Sequence, residues 1–198
     1  MSEHAQRRLS DLSHLRHVIS ARRLERGRPI VVGVSGYARS GKSTLVRDIV
    51  AGDPTMVRMR GDDFLDPSRS HRRSSTWDGV DRRRLVSEVL APFCEEREGT
   101  FRRYDWSRRE LGDPEPVPAG EVLVVDLIGL FHPEALPALD LTVWMDVPLE
   151  VARERGMRRD VELGRDHSRL WDEVWVPNEV DFDRRFSPRD AAEILYRE

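Results

Sequence analysis

The sequence predicts an α/β domain, a parallel five-stranded sheet flanked by helices, and three observations carry that expectation. Short, uniformly apolar runs, among them IVVGV at 30–34 and LTVWM at 141–145, suit strands buried on both faces, as parallel strands are. Segments with apolar residues at helical spacing alternate with those runs. A glycine-rich stretch, GYARSGKSTL at 36–45, stands between the first strand and the helical pattern after it.

Taken in chain order, Leu9, Leu12, Leu15, Val18 and Ile19 recur at helical spacing in an N-terminal arm, residues 1–28, and GRP at 27–29 ends that helix. IVVGV follows as a strand. Leu45, Val46, Ile49 and Val50 then form one helical face, stopped by AGDP. MVRMR at 56–60 alternates as a second strand, with GDDF at its carboxyl end. Residues 66–80, DPSRSHRRSSTWDGV, are polar and turn-rich, which predicts a mobile loop over a site. Asp81 caps a helix whose face is Leu85, Val86, Val89, Leu90 and Phe93.

FRRYDW comes next, then a loop, GDPEPVPAG, at 112–120. EVLVVDLIG predicts a buried strand ending near Asp126, and LTVWMDV another ending near Asp146. Pro148 suits the first turn of an arginine-loaded helix through VARERGMRRD. Leu170, Trp171, Val174 and Trp175 mark a further amphipathic helix, and AAEILY suits a last strand or a helix. With no internal repeat, residues 1–198 are expected to form one domain, with a lid segment at about 150–168.

Composition narrows the classes of partner. A formal net charge of -3 conceals a mixture in which 35% of residues are charged, and the paired arginines at 22, 72, 102, 108 and 184 make no continuous basic run. A nucleic-acid partner is therefore not expected. Cys94 is the only cysteine, so neither an internal disulfide nor a cysteine metal cluster can form, which suits a reducing cytoplasm. The first thirty residues contain no apolar core of a signal peptide, and no stretch approaches the roughly 20 apolar residues of a membrane span. The expected partner is a small molecule, with a homodimer left open.

Gly36, Tyr37, Ala38, Arg39, Ser40, Gly41, Lys42 and Ser43 fit GxxxxGK followed by Ser or Thr, between a predicted strand and a predicted helix. Loop amides and the helix dipole attract phosphates there, Lys42 reaches the β and γ phosphates, and Ser43 meets the magnesium that accompanies the nucleotide. Lys42 is also the only lysine beside thirty-two arginines. A compact ammonium is kept where a broad guanidinium fork does not fit. The same count removes rivals: a GTPase needs the lysine of its NKxD motif, and a protein kinase needs one on a strand outside such a loop.

Phosphoryl transfer to a hydroxyl needs a base at the acceptor and ligands around the metal. Asp62 and Asp63 follow the second strand, and Asp126 ends VLVVD where a magnesium-holding carboxylate belongs. Asp146 ends a later strand, where a local backbone role is favoured.

These residues together resemble the uridine kinase and phosphoribulokinase group of P-loop small-molecule kinases, which includes bacterial pantothenate kinase. The resemblance spans most of the chain: GVSGYARSGKST, GDDFL, WDGVDRRRLVSEVLAPF, FRRYDW, VLVVD and LTVWMDVPLEVARERGMRRD. It implies ATP and Mg2+ as cofactors, with Thr44 beside the phosphate loop. It also implies that Asp62 orients or deprotonates the acceptor hydroxyl, with Asp63 as a fallback. Trp77, Asp78 and Tyr104 would contact the acceptor, and Arg155, Arg158, Arg159 and Arg165 would come from an arginine-rich lid, Arg159 being the firmest match. The chain departs from the group where Asp126 and Gly129 stand for a Glu-Gly pair and where Gly156 takes the place of the lid's leading arginine. These departures fall on the acceptor side, so the substrate is not carried over from the group; the acceptor expected is a nucleoside or nucleoside-like compound, with pantothenate, a sugar or an antibiotic as the alternatives within enzymes and a non-catalytic ATPase module as the alternative outside them.

Among the remaining aromatic and histidine residues, Trp77 and Trp106 could stack on a flat acceptor, with Trp77 favoured. Trp171 and Trp175 have core spacing. His71, His132 and His167 lack metal-ligand spacing and suit loop or surface roles.

Overall fold

The first ordered element is a strand. In the computed structural model, which describes residues 6–105, 107–108 and 110–197, β1 (Arg7–Leu9) precedes the expected helix α1 (Leu12–Arg26). The Asp11 side chain caps α1 by accepting the His14 amide at 2.8 Å, and Gly27, at φ 64°, ends it. β2 (Ile30–Ser35), the phosphate-loop helix α2 (Lys42–Val50) and β3 (Met56–Arg60) follow as predicted.

Segment 66–80 is more structured than a mobile loop. Asp66 caps the short helix α3 (Pro67–Ser70), and Leu65 bridges back to Val80. Beyond Asp81 the chain forms one rod: α4 (Arg82–Leu85), a π-helical turn at Val86–Leu90, and α5 (Ala91–Cys94). Pro92 lacks the N–H that would continue the α ladder, which accounts for the wider turn before it. The pattern repeats later, where α7 (Ser168–Leu170), a π turn at Trp171–Trp175 and α8 (Val176–Phe186) are continuous and Pro177 interrupts the ladder.

The segment expected as a loop at 112–120 is largely a strand. β4 (Thr100–Asp105) and β5 (Glu110–Pro116) pair antiparallel as a separate hairpin, with a bulge between Arg102 and Tyr104. β6 (Val122–Asp126), β7 (Leu141–Met145), α6 (Leu149–Glu162) and β8 (Ile194–Tyr196) complete the chain, so AAEILY resolves as a strand.

The main sheet has six parallel strands, not five, in the order β1-β8-β7-β2-β6-β3. The extra one is β1, three residues long and without a marked apolar run, which docks on the edge of β8. One face of the sheet presents Val32, Val34, Val124 and Val143 to Leu15 and Ile19 of α1 and to Leu45 and Ile49 of α2. The other presents Val31, Leu123, Val125 and Trp144 to the α4–α5 rod and to Phe182 of α8. At about 25 cal/mol per Å2 of apolar surface buried, these two layers are the main favourable term in folding. No described helix is long and apolar enough to cross a membrane.

β2, β6 and β3 lie side by side, and their carboxyl ends open on one edge of the sheet. Gly61, just beyond β3, makes that convergence tight: a Cβ there would lie 2.3 Å from the Asp126 carbonyl oxygen. Ligands of open α/β sheets bind at such an edge, beside the crossover of strand order.

Candidate active site

The loop between β2 and α2 has the conformation a phosphate cradle requires. Gly36 and Gly41 have φ 150° and 101°, and Arg39 adopts φ 66°. Gly41 caps α2 without a side-chain hydrogen bond, so the first amides of the helix are not taken by a capping side chain. Lys42 Nζ donates to the carbonyls of Gly36 and Tyr37 at 2.8 and 2.7 Å, bending the amine back over the loop. Desolvation pulls its pKa below the usual lysine value, opposed by the negative charges of Glu179, Asp62 and Asp126.

Across the cradle, Asp126 at the end of β6 accepts a short hydrogen bond from Ser43 Oγ. Arg58 of β3 grips the same carboxylate, with Nε and Nη2 3.2 and 3.1 Å from Oδ1. Sequence reasoning did not single out Arg58; its place on an alternating strand, three residues before the turn that carries Asp62, was the available signal. One carboxylate and one hydroxyl form a hard-oxygen pair that suits a magnesium-like cation, which keeps few protein ligands and takes phosphate oxygens for the rest. Arg58 holds the carboxylate in place and offsets part of its charge.

β3 ends in a 3-10 turn, Gly61–Phe64, which separates two neighbouring carboxylates. Asp62 lines the cleft, open to solvent. Desolvation, then repulsion from Asp126, raises its pKa, against the pull of Lys42, Arg60 and Arg58. Asp63 points elsewhere: it is buried, pairs with Arg103 Nη1 of β4 at 3.0 Å, and so ties the hairpin to the sheet. Its pKa is also raised, chiefly by desolvation.

Asp62 shares a cleft of about 620 Å3 with the phosphate loop. Of the residues expected from the sequence, Ala38, Arg39, Gly41, Lys42, Ser43, Thr44, Asp62, Trp77, Asp126, Arg155, Arg159 and Arg165 line it. Gly36, Ser40, Asp63, Asp78, Tyr104 and Arg158 do not line it among the described residues. Gly36 and Ser40 are buried within the loop itself. Asp78 is exposed, its amide donating to Ser74 Oγ at 3.1 Å, and Tyr104 belongs to the hairpin. Trp106 lies outside the described residues.

The far wall of the cleft adds four aromatic and histidine residues for which no ligand-facing place was expected. Trp171 and Trp175, expected only in the core, line it together with His71 and His167. The Trp171 and Trp175 rings meet edge-on at 5.0 Å, and Trp175 has His71 and His167 on either hand at 5.8 and 5.6 Å. The two indoles point apart: Trp171 faces α6, while Trp175 Nε1 donates to the Ser70 carbonyl at 3.2 Å. Asp160, buried at the end of α6, accepts from Trp171 Nε1 at 2.9 Å and lies 3.4 Å from His167 Nδ1. Gly156 faces the same indole, where a Cβ would lie 2.1 Å from Cζ2. A side chain larger than hydrogen at position 156 would therefore collide with the Trp171 ring. Trp77, buried at a strained φ of 51°, forms part of the facing wall.

Asp146 is structural, but not as the local backbone acceptor expected: its carboxylate pairs with the distant Arg189 at 2.8 Å, and that hydrogen bond holds it below the usual carboxylate range. A buried acid beside the phosphate loop was not anticipated. Glu179 of α8 accepts the Ala38 amide at 2.7 Å, and only its place in an amphipathic helix was visible in the sequence.

No protein-family model matches the chain. Among the solved structures that resemble the chain, two do so over nearly the whole length. A Bacillus stearothermophilus protein described as a "possible uridine kinase" superposes with a TM-score of 0.73 at 15% identity, covering 93% of this chain and 96% of that one. A "putative fructose transport system kinase" from Silicibacter sp. TM1040 superposes with a TM-score of 0.74 at 17% identity, covering 94% of this chain and 99% of that one. Sheet order, phosphate loop and these superpositions agree, and the chain has the mixed α/β fold of P-loop kinases of the uridine kinase kind.

Proposed function

We propose that the protein is a phosphotransferase that uses ATP and Mg2+ to phosphorylate a hydroxyl of a small metabolite, with a nucleoside or nucleoside-like compound as the preferred acceptor. The observation that carries this reading is the meeting of Lys42, Ser43, Asp126, Asp62 and the α6 arginines in one cleft. Loop amides and Lys42 bind the polyphosphate, while Ser43 and Asp126 hold the metal, which neutralises phosphate charge. Asp62 accepts the proton of the attacking hydroxyl. Arg155 and Arg159 reach in from α6 to stabilise charge on the transferring group.

A non-catalytic ATPase switch has no need of Asp62 in an aromatic-walled chamber. Trp77, Trp175, His71 and His167 offer flat surfaces and hydrogen-bonding edges, which suit a base attached to a sugar. A plain sugar is the second reading, favoured by the likeness to a protein described as a fructose transport system kinase.

The test is ADP formation from MgATP with nucleosides, sugars and pantothenate offered singly, each product being weighed by mass spectrometry. The expected result is acceleration by a nucleoside with an 80 Da gain on the acceptor, the mass of one HPO3 unit, about 80 Da. A sugar-only response selects the second reading. If no small molecule accelerates ADP formation, the kinase assignment fails.

A further inference from the structure

Outside the cleft lining, the most consequential ionisable group is Glu179. It is 4% exposed, in the first turn of α8, and its Oε1 accepts the N–H of Ala38 at 2.7 Å from behind the phosphate loop. The preceding residue, Asn178, is fully buried; its Oδ1 accepts the Ser74 amide and its Nδ2 donates to the Arg72 carbonyl, each at 2.8 Å. Two successive side chains therefore hold the two sides of the cleft, the phosphate loop and segment 71–76.

A neutral amide would satisfy Ala38 equally well, so the acid at this position calls for a reason. Burying a carboxylate is costly unless a cation or hydrogen bonds offset it. The cation facing Glu179 is Lys42 on α2, but its ammonium spends hydrogen bonds on the Gly36 and Tyr37 carbonyls, so the two charges interact across the loop. From α8 itself Asp183 repels it, while the Tyr37 hydroxyl on the loop lies 3.4 Å from Asp183. The Trp77 indole Nε1 is buried near the same carboxylate without a hydrogen bond of ordinary geometry. Burial dominates, and the carboxyl is pushed up to about 7.

We propose that Glu179 is a positioning residue that braces the phosphate loop through Ala38 and takes up a proton from solvent when a nucleotide polyphosphate settles on the other side of the loop. The proposal rests on the phosphate-loop function proposed above. The incoming phosphates compete for Lys42, the one cation stabilising the charged form, and add negative charge of their own. Both effects favour the protonated acid, which still accepts the Ala38 hydrogen bond through its carbonyl oxygen. Reciprocity then requires nucleotide affinity to fall as pH rises through neutrality.

The experiment is isothermal titration of MgATP into the full chain at pH 6, 7 and 8, in pairs of buffers with different ionisation enthalpies. Glu179→Gln, which keeps an acceptor for Ala38 without a titratable group, is the control for protons taken up by ATP itself. The wild type is expected to take up as much as about one proton more than the variant, and its Kd to weaken by as much as about tenfold per pH unit above 7, a dependence that the variant loses. Equal proton uptake and equal pH slopes in the two proteins overturn the proposal while leaving nucleotide binding intact. Absence of binding at every pH overturns the phosphate-loop function as well. An ATP-free measurement stands beside these. Because the folded-state pKa of Glu179 is raised, its contribution to stability falls as pH climbs from the usual glutamate range to about 7. The Gln variant should gain Tm relative to wild type between pH 5 and 8, and a constant difference contradicts the titration.

Discussion

Lys42 and Asp62 divide the proposed chemistry between donor and acceptor, and each makes a distinct prediction. The Lys42 ammonium fits among loop carbonyls at 2.7 and 2.8 Å, a space that a planar guanidinium cannot enter without displacing them. Lys42→Arg, conservative in charge, is expected to lower kcat/KM for ATP by about 10²-fold or more, as measured by steady-state kinetics. Asp62→Asn is expected to reduce kcat by about 10² to 10⁴-fold while the Kd for MgATP moves little, because the side chain serves the acceptor. Since desolvation and Asp126 hold the Asp62 carboxyl above the ordinary range, it keeps its proton to higher pH. The base form, and with it kcat/KM, should therefore rise with pH, with an acid limb displaced above the usual aspartate value. A limb at that usual value assigns the base elsewhere.

At the scale of elements, α6 is a docked helix: Gly156 packs on Trp171, and Asp160 anchors the same indole. Gly156→Ala forces a methyl into space already filled by the ring, so it is expected to cost about 1–3 kcal/mol and to lower Tm. If the kinase reading holds, kcat should fall in step, because Arg155 and Arg159 ride on the displaced helix; an unchanged Tm would show that the ring moves aside freely. The strand-loop-helix unit was fully legible in the sequence, because glycines, a lysine and two periodicities coincide there. The aromatic wall of the cleft was not. Trp171 and Trp175 have the spacing of core residues, and periodicity cannot tell that the buried face they share with the core also borders the cleft. Nor could adjacency in GDDF separate Asp62 from Asp63; Arg103, forty residues later, captures the second.

For the whole molecule, the apolar strands specified four neighbouring positions in the sheet, whereas β1 owes its place to an edge offered by β8 and has too few residues to announce itself. Glu179 was missed for a related reason: its function depends on which loop α8 crosses, a property of topology. Because the phosphate loop and the β6 carboxylate line one cleft while α8 braces the loop and segment 71–76 from behind, ligand binding should be felt by the entire cooperative unit. MgATP at a hundredfold excess over Kd is expected to add about 2.7 kcal/mol to stability and raise Tm by several degrees in a thermal melt, with AMP having a smaller effect. The solitary lysine has one last consequence. Any reagent that acylates side-chain amines has a single target in this sequence, and that target is folded onto its own loop carbonyls. Beyond the α-amine, the stoichiometry and rate of labelling therefore form a built-in reporter of whether the cradle is open, closed or shielded by a ligand.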